Sequence, residues 1–347
     1  MMIRLKYFFT VVIFLFSCTN AESQRKQAST NYIKQPKING VNFVAPPREI
    51  DNQWTNDLKN INVGWTSLIP YAYSRPNLPQ VNYSAERQHW GESVEGLRTN
   101  VKQAHEAGLK VMIKPQVWMQ RGGWIGDFDL NTEEEWKIWE ADYEKYIMYF
   151  AKLAAEENVE MICIGTEYRN AVKKRPAFWL KLTKDIRAIY SGKLTYCANW
   201  DDYEDVSFWK ALDFVGVSAY FPLSEAQKPS VKELEKAWIP IKEKLQKFSQ
   251  KEEKPILFTE YGYRSMDQPA WRSWELEYQE RPINNEAQAI AYEALYKTFW
   301  KEKWFAGGFA WKWYSSFRRM DPNNNHDWTP QNKKAQEVMA EFYSSHL

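Results

Sequence analysis

Met161-Ile162-Cys163-Ile164-Gly165-Thr166-Glu167-Tyr168 and Ile256-Leu257-Phe258-Thr259-Glu260-Tyr261-Gly262 are built alike, each an apolar run followed by Thr-Glu-Tyr. A short apolar run without alternation is the pattern of a parallel strand buried on both faces. A carboxylate placed directly after such a strand has no packing role, so each glutamate marks a strand end where chemistry can sit. Similar runs recur along the chain at Gly40–Val44, Gly64–Ile69, Lys110–Lys114, Glu160–Gly165, Leu194–Ala198, Phe214–Ala219, Pro255–Thr259 and Gly307–Trp311. Amphipathic helical patterns lie between them. Trp90–Ala107 ends at Gly108, Thr132–Glu157 opens on three acids, and Pro176 opens Ala177–Tyr190. Val231–Gln250, Glu286–Lys301 and Gln331–Ser344 follow, with a short helix expected within Pro46–Asn60. Eight strands alternating with seven or eight helices predict an α/β fold, a single (β/α)8 barrel of the TIM type. The competing arrangement is an open doubly wound sheet, but no G-x-G-x-x-G or P-loop follows an early strand. No Gly/Ser linker divides residues 36–347, which read as one barrel domain.

The chain has 347 residues, and its 46 basic and 44 acidic side chains are mixed along its length without a basic tract. That pattern argues against a nucleic-acid partner. Aromatics are enriched, with 18 Trp, 20 Tyr and 18 Phe, which suits either a heavily aromatic core or a cleft that stacks sugar rings. At the start, Arg4 and Lys6 precede an apolar run from Tyr7 to Phe16 and then Ser17-Cys18. The run is too short to span a bilayer as a mature helix. It resembles a bacterial lipoprotein signal over residues 1–18, although Phe16 departs from the small or aliphatic residue usual there; an ordinary secretory signal is the competing reading. Cys18 is then the expected lipidation site, residues 19–35 a flexible polar tether, and the bacterial cell envelope the expected location. Cys163 and Cys197 lie in strand-like runs and are expected as buried free thiols unless their strands are neighbours of suitable geometry. The four histidines show no ligand spacing, so no metal or other cofactor is expected. Nothing in the sequence demands an oligomer, and a monomer is expected.

In a barrel of this kind the functional groups lie where strands end. The strand ends supply Asn42, Tyr71-Ala72-Tyr73-Ser74, Lys114-Pro115-Gln116-Val117-Trp118 with the following Gly122-Gly123-Trp124, Asn199-Trp200-Asp201-Asp202, Tyr220, and Trp311-Lys312-Trp313. Glu167 and Glu260 end the fourth and seventh strands, which face each other across a closed barrel. Glycosidic hydrolysis needs one carboxylic acid to protonate the leaving oxygen and one carboxylate on the other side of the ring. The competing reading makes one glutamate a structural ion-pair member with Arg169 or Arg264. Asp127 and Asp129 read as loop or capping residues.

At these residues the chain resembles clan A of the glycoside hydrolases, and within it glycoside hydrolase family 113, whose characterised members are β-1,4-mannanases. The resemblance is carried by Gly40-Val41-Asn42-Phe43, Trp90-Gly91-Glu92, Gly108–Trp118, Ile164-Gly165-Thr166-Glu167, Thr259-Glu260-Tyr261-Gly262 and Gly308-Phe309-Ala310-Trp311. It implies a retaining mechanism with Glu260 as nucleophile and Glu167 as acid/base, acting on mannan, glucomannan or manno-oligosaccharides without a cofactor. Tyr220 ends the sixth strand beside the seventh and is expected to bond and orient Glu260, a buried tyrosine with an unrelated partner being the competing reading. Trp311, ending the eighth strand next to the first, is expected under the reacting sugar, or Trp313 if the strand runs two residues further. Trp118, Trp124 and Trp200 are candidates for stacking flanking sugars, and Asn42, Lys114, Gln116 and Asp201 for binding hydroxyls. Many clan members carry Asn just before the acid/base. Thr166 stands there in this chain, which leaves the sugar 2-hydroxyl contact unassigned. The competing functions are a clan A glycosidase acting on β-glucan or xylan, and a non-catalytic glycan-binding surface lipoprotein.

Overall fold

The apolar runs fold as strands β1 (Ile38–Phe43), β2 (Trp65–Leu68), β3 (Tyr71–Ser74), β4 (Lys110–Ile113), β5 (Gln116–Met119), β6 (Met161–Thr166), β7 (Lys193–Asn199), β8 (Val215–Ser218), β9 (Ile256–Tyr261) and β10 (Phe305–Trp313). The structure is a computed structural model that describes residues 36–83, 88–120, 122–272, 274–275, 281–316 and 321–346; Cys18 and the 19–35 segment lie outside them. Eight of the strands close a barrel in the order β1-β2-β4-β6-β7-β8-β9-β10, and β10 returns to pair with β1. Every pairing around it is parallel. The expected fold is therefore the observed one.

The helices are α1 (Gln53–Lys59), α2 (Val94–Glu106), α3 (Glu133–Glu156), α4 (Arg169–Lys174), α5 (Pro176–Ile189), α6 (Val231–Glu252), α7 (Asn285–Phe299) and α8 (Lys334–Ser344). Their ends follow local chemistry. Thr132 and Glu135 form a reciprocal capping box at α3, and Ser230 and Glu233 form another at α6. Gly108, at φ +78°, ends α2, with the Leu109 N–H donating to the Ala104 carbonyl at 2.9 Å. The alternation is irregular in two places. β6 is followed by two helices, α4 and α5, and β7 and β8 are joined only by 3₁₀ turns at Tyr203–Asp205 and Trp209–Ala211. The helix expected from Trp90 starts later: Trp90–Glu92 is a 3₁₀ turn, and Ser93 caps α2 by accepting from the Gly96 N–H.

β3 and β5 are additions that hydropathy did not separate from β2 and β4. Pro70 and Pro115 cannot donate to a ladder, so the barrel pairing stops there. Both chains remain extended beyond the prolines and pair with each other as a parallel ribbon, Tyr71 opposite Gln116 and Tyr73 opposite Trp118. The ribbon raises one wall of the barrel mouth.

Most of the aromatic excess is core. Trp54, Trp139, Trp179, Trp209, Trp238 and Trp300 are fully buried between barrel and helices. Trp179 stacks on Phe208 at 5.6 Å and meets Trp139, Tyr143 and Tyr196 edge-on or tilted. Inside the barrel, Cys163 and Cys197 are buried free thiols, and Cys197 Sγ lies 3.0 Å from Ser218 Oγ. Because the Trp179 ring is enclosed by other rings that cannot collapse inward, Trp179→Ala is expected to cost about 3–5 kcal/mol in a denaturant titration. A loss well below that would mean the aromatic layer is not close-packed.

Candidate active site

Glu260 is the second-last residue of β9 and is 5% exposed. One carboxylate oxygen pairs with Lys114 Nζ, and the other accepts from the Tyr220 hydroxyl at 2.9 Å. Lys114 follows β4 and is fully buried. Burial alone would push its ammonium down, but Glu260 reverses this and holds it above its ordinary value. Asn42 supports the lysine from β1. Its Oδ1 lies 3.5 Å from Lys114 Nζ, and its amide donates to the carbonyls of Thr259 (3.2 Å) and Phe309 (3.1 Å). Tyr220 is half-buried, and first desolvation, then Glu260, keeps its phenol well above the ordinary value and hence protonated as a donor.

Glu167 leaves β6 in the left-handed region at φ +56°, a conformation that costs a non-glycine residue energy and is found where a side chain must be aimed. Its backbone is held on both sides: its N–H donates to the Cys197 carbonyl at 2.7 Å and its carbonyl accepts from the Arg169 N–H at 2.8 Å. Burial, then the charge of Glu260, raises its carboxyl to about 7; the Trp124 indole, the Ser218 hydroxyl and Lys114 oppose the rise. The Trp124 Nε1–H donates to Glu167 Oε2 at 2.6 Å. The two carboxyls thus have unlike surroundings: Glu260 faces a cation and a hydroxyl, while Glu167 is kept protonatable near neutrality. A pair of that kind can donate a proton at one end and offer an anion at the other.

Several expected site residues take other roles. Asn42 and Lys114 are engaged around Glu260, Lys114 directly and Asn42 through Lys114 and two backbone carbonyls. Asp201 pairs with Arg169 and accepts from the Asn199 amide at 2.9 Å, and Asp202 takes a second Arg169 nitrogen at 2.9 Å. Arg169 is therefore engaged away from both glutamates, and Arg264 donates to the His326 carbonyl, so neither forms the competing ion pair. Trp124 lies on the loop after β5, as expected, and its indole bonds to Glu167. β10 does run to Trp313, but Trp313 is buried in the outer apolar layer; Trp311 is partly exposed, with Lys114 Nζ 5.4 Å from its ring centre. Trp118 is 61% exposed on β5, and Trp200 stacks on Trp274 at 5.6 Å. Gln116 is half-buried and its Oε1 has no partner among the described residues. Asp129 pairs with Lys174 and caps its own loop.

Two further residues lie here: Trp328 gave no sequence signal of its own, and Glu92 entered only within the Trp90-Gly91-Glu92 segment that carries the resemblance. Trp328 packs edge-on to Tyr220 at 5.2 Å from the loop before α8. Glu92 is buried in the 3₁₀ turn over the ends of β1 and β3, and burial raises its carboxyl to about 7 against the influence of His89. Among the described residues no group of His, Cys, Asp and Glu is arranged to hold a metal ion.

The sequence profile of Glycoside Hydrolase Family 113 matches residues 49–334. Among solved structures, the GH113 β-mannanase AaManA of Alicyclobacillus acidocaldarius, in complex with ManMIm, superposes with a TM-score of 0.80 at 25% identity, covering 90% of this chain and 99% of that one. A GH113 β-1,4-mannanase structure gives 0.78 at 23% identity over 90% of this chain and 100% of the other. A β-glucuronidase of Faecalibacterium prausnitzii shares the fold alone, at 0.59 and 15% identity, covering 90% of this chain and 49% of that one. Among curated proteins no relative matches.

Breaking a buried ion pair strands a charge, so Lys114→Met is expected to lower unfolding free energy by about 3–5 kcal/mol. Adding Glu260→Gln should recover most of that loss, because no unpaired charge then remains. Denaturant titration of the single and double variants checks it; equal stability of the two would mean Lys114 and Glu260 are not coupled.

Proposed function

The chain belongs to glycoside hydrolase family 113, and from that premise we propose that it cleaves β-1,4-mannosidic bonds in mannan, glucomannan or manno-oligosaccharides with retention, by a two-glutamate double displacement. It is a glycoside hydrolase. The observation that carries the mechanism is the unequal setting of its two carboxyl groups at one end of the barrel. Glu260, held by Lys114 and Tyr220, attacks the anomeric carbon as the anion. Glu167 gives its proton to the departing oxygen.

The second half follows from the same electrostatics. Once Glu260 is esterified by the sugar its negative charge is gone, and the repulsion that helped raise Glu167 disappears. Glu167 then holds a proton less tightly and stands as the carboxylate that takes one from the attacking water, whose oxygen bonds the anomeric carbon as the ester bond to Glu260 breaks. Trp311, partly exposed beside Lys114, supplies an apolar face for the sugar at the cleavage point. Likeness to the Alicyclobacillus acidocaldarius β-mannanase supports the choice of mannan.

Residues 36–347 incubated with mannohexaose, glucomannan, cellohexaose and xylohexaose are expected to release short manno-oligosaccharides, with loss of turnover in Glu260→Ala. Wild-type kcat/KM should fall as pH rises through about 7, where Glu167 loses the proton it must donate. Cleavage of only the gluco- or xylo-oligosaccharide would replace the substrate while keeping the mechanism. Glycan binding without cleavage would make the protein a lectin-like barrel.

We also propose, from the leader alone, that Cys18 carries a lipid that tethers the enzyme to a bacterial envelope membrane. Labelled palmitate should enter the full-length protein and not Cys18→Ser; equal labelling would remove the anchor.

A further inference from the structure

Trp124, Arg169, Asp201 and Asp202 form a closed circuit around Glu167 that the double displacement does not itself require. The indole N–H of Trp124 donates to Glu167 Oε2 at 2.6 Å. The Arg169 guanidinium lies over the other side of this contact, 4.5 Å from the Trp124 ring centre. Arg169 is itself pinned, with one nitrogen on Asp202 at 2.9 Å and another on Asp201. The circuit closes through the backbone, because the Arg169 N–H donates to the carbonyl of Glu167. Three successive strand-to-helix connections, after β5, β6 and β7, are thereby tied to one carboxyl group.

The parts are fitted for position. A Cβ on Gly126 would stand 2.3 Å from the Trp124 ring, so that glycine lets the indole lie flat over the following turn. Arginine suits the middle of the circuit because its planar fork meets two carboxylates while its face stacks on an aromatic ring. Trp124 sits on a loop preceded by Gly122 and Gly123, both at positive φ, and its half-buried ring packs on the apolar core below.

Resting on the glycosidase reading above, we propose that Trp124 and Arg169 are positioning residues for proton transfer: Arg169, locked by Asp201 and Asp202, holds the indole N–H on Glu167 so that its carboxyl keeps one orientation toward the leaving oxygen. The indole bond also favours the carboxylate left behind when the proton departs. Other groups acting on Glu167 are Glu260 on β9, Lys114 after β4, Ser218 on β8, and Tyr220 and Cys197 beside them. None of these is changed by substitutions at 124 or 169.

The test uses residues 36–347 as wild type, Trp124→Phe and Arg169→Lys, with thermal unfolding to confirm that each variant folds. Carbon-13 NMR titration of the Glu167 carboxyl needs no substrate and so does not depend on the mannan reading. In Trp124→Phe the midpoint is expected to rise by about one to two pH units, the worth of one hydrogen bond to the charged form. Arg169→Lys keeps the charge but loses the planar stack, and is expected to move the midpoint the same way by a smaller amount. With substrate, kcat on mannohexaose should fall by up to about 100-fold in Trp124→Phe, since mispositioning forfeits no more than the lower end of what general-acid catalysis contributes. An aryl β-mannobioside with an acidic phenol leaving group needs little protonation and should lose far less. Unchanged titration in both variants overturns the proposal, as does an equal loss on the two substrates, which would point to a general structural defect. If the titration shifts while wild type cleaves neither mannan substrate, the positioning of Glu167 stands and the substrate reading falls.

Discussion

Barrel closure is the constraint on which everything else depends. β10 pairs with β1, joining segments from opposite ends of the described chain, and only then do β6 and β9 face each other across a common axis. All strands of the ring run parallel, so their carboxyl ends collect at one mouth, and the residues that follow them converge although they are remote in sequence. Asn42 from β1, Lys114 after β4 and Glu260 from β9 meet in this way. A buried lysine and a buried glutamate are tolerable there because closure delivers each to the other; apart, either would be a costly unpaired charge.

From that meeting follows the division of labour between the two glutamates. They share residue type, local sequence and position at a strand end, so nothing intrinsic separates them. Glu260 receives Lys114 and the Tyr220 hydroxyl, while Glu167 receives burial and a neighbouring negative charge, opposed by the Trp124 indole, the Ser218 hydroxyl and Lys114. One group is thereby suited to act as an anion and the other to hold a proton near neutrality. The backbone contributes as well, since Glu167 is turned out of its strand by a left-handed residue conformation that its two flanking hydrogen bonds secure.

The aromatic content divides between two uses that composition could not distinguish. The larger share, including Trp139, Trp179 and Tyr143, fills the layer between strands and helices, where ring-against-ring packing stiffens the wall behind β6. A smaller set occupies the barrel mouth: Trp124 on Glu167, Trp311 against Lys114, Trp328 against Tyr220 and Trp118 in solvent on the β5 wall. The two prolines that end the barrel ladder at Pro70 and Pro115 raise that wall, by freeing the chain beyond them to pair as a separate ribbon.

The sequence by itself determined the barrel, the eight strands and the two glutamates, because runs of apolar residues of strand length and a carboxylate directly after them are local patterns with a physical meaning. It also anticipated the Tyr220 bond to Glu260, since neighbouring strand ends are neighbours in space. What only the tertiary structure decided is which polar group meets which. Asn42, Lys114 and Asp201 read alike as hydroxyl-binding candidates, but closure sets Lys114 on Glu260, Asn42 beside Lys114 and Asp201 on Arg169. Trp124 was legible as a loop aromatic, but its bond to Glu167 depends on the fold of three separate connections. Periodicity records which face a residue turns toward the core; it carries no information about the distant partner that satisfies a buried charge.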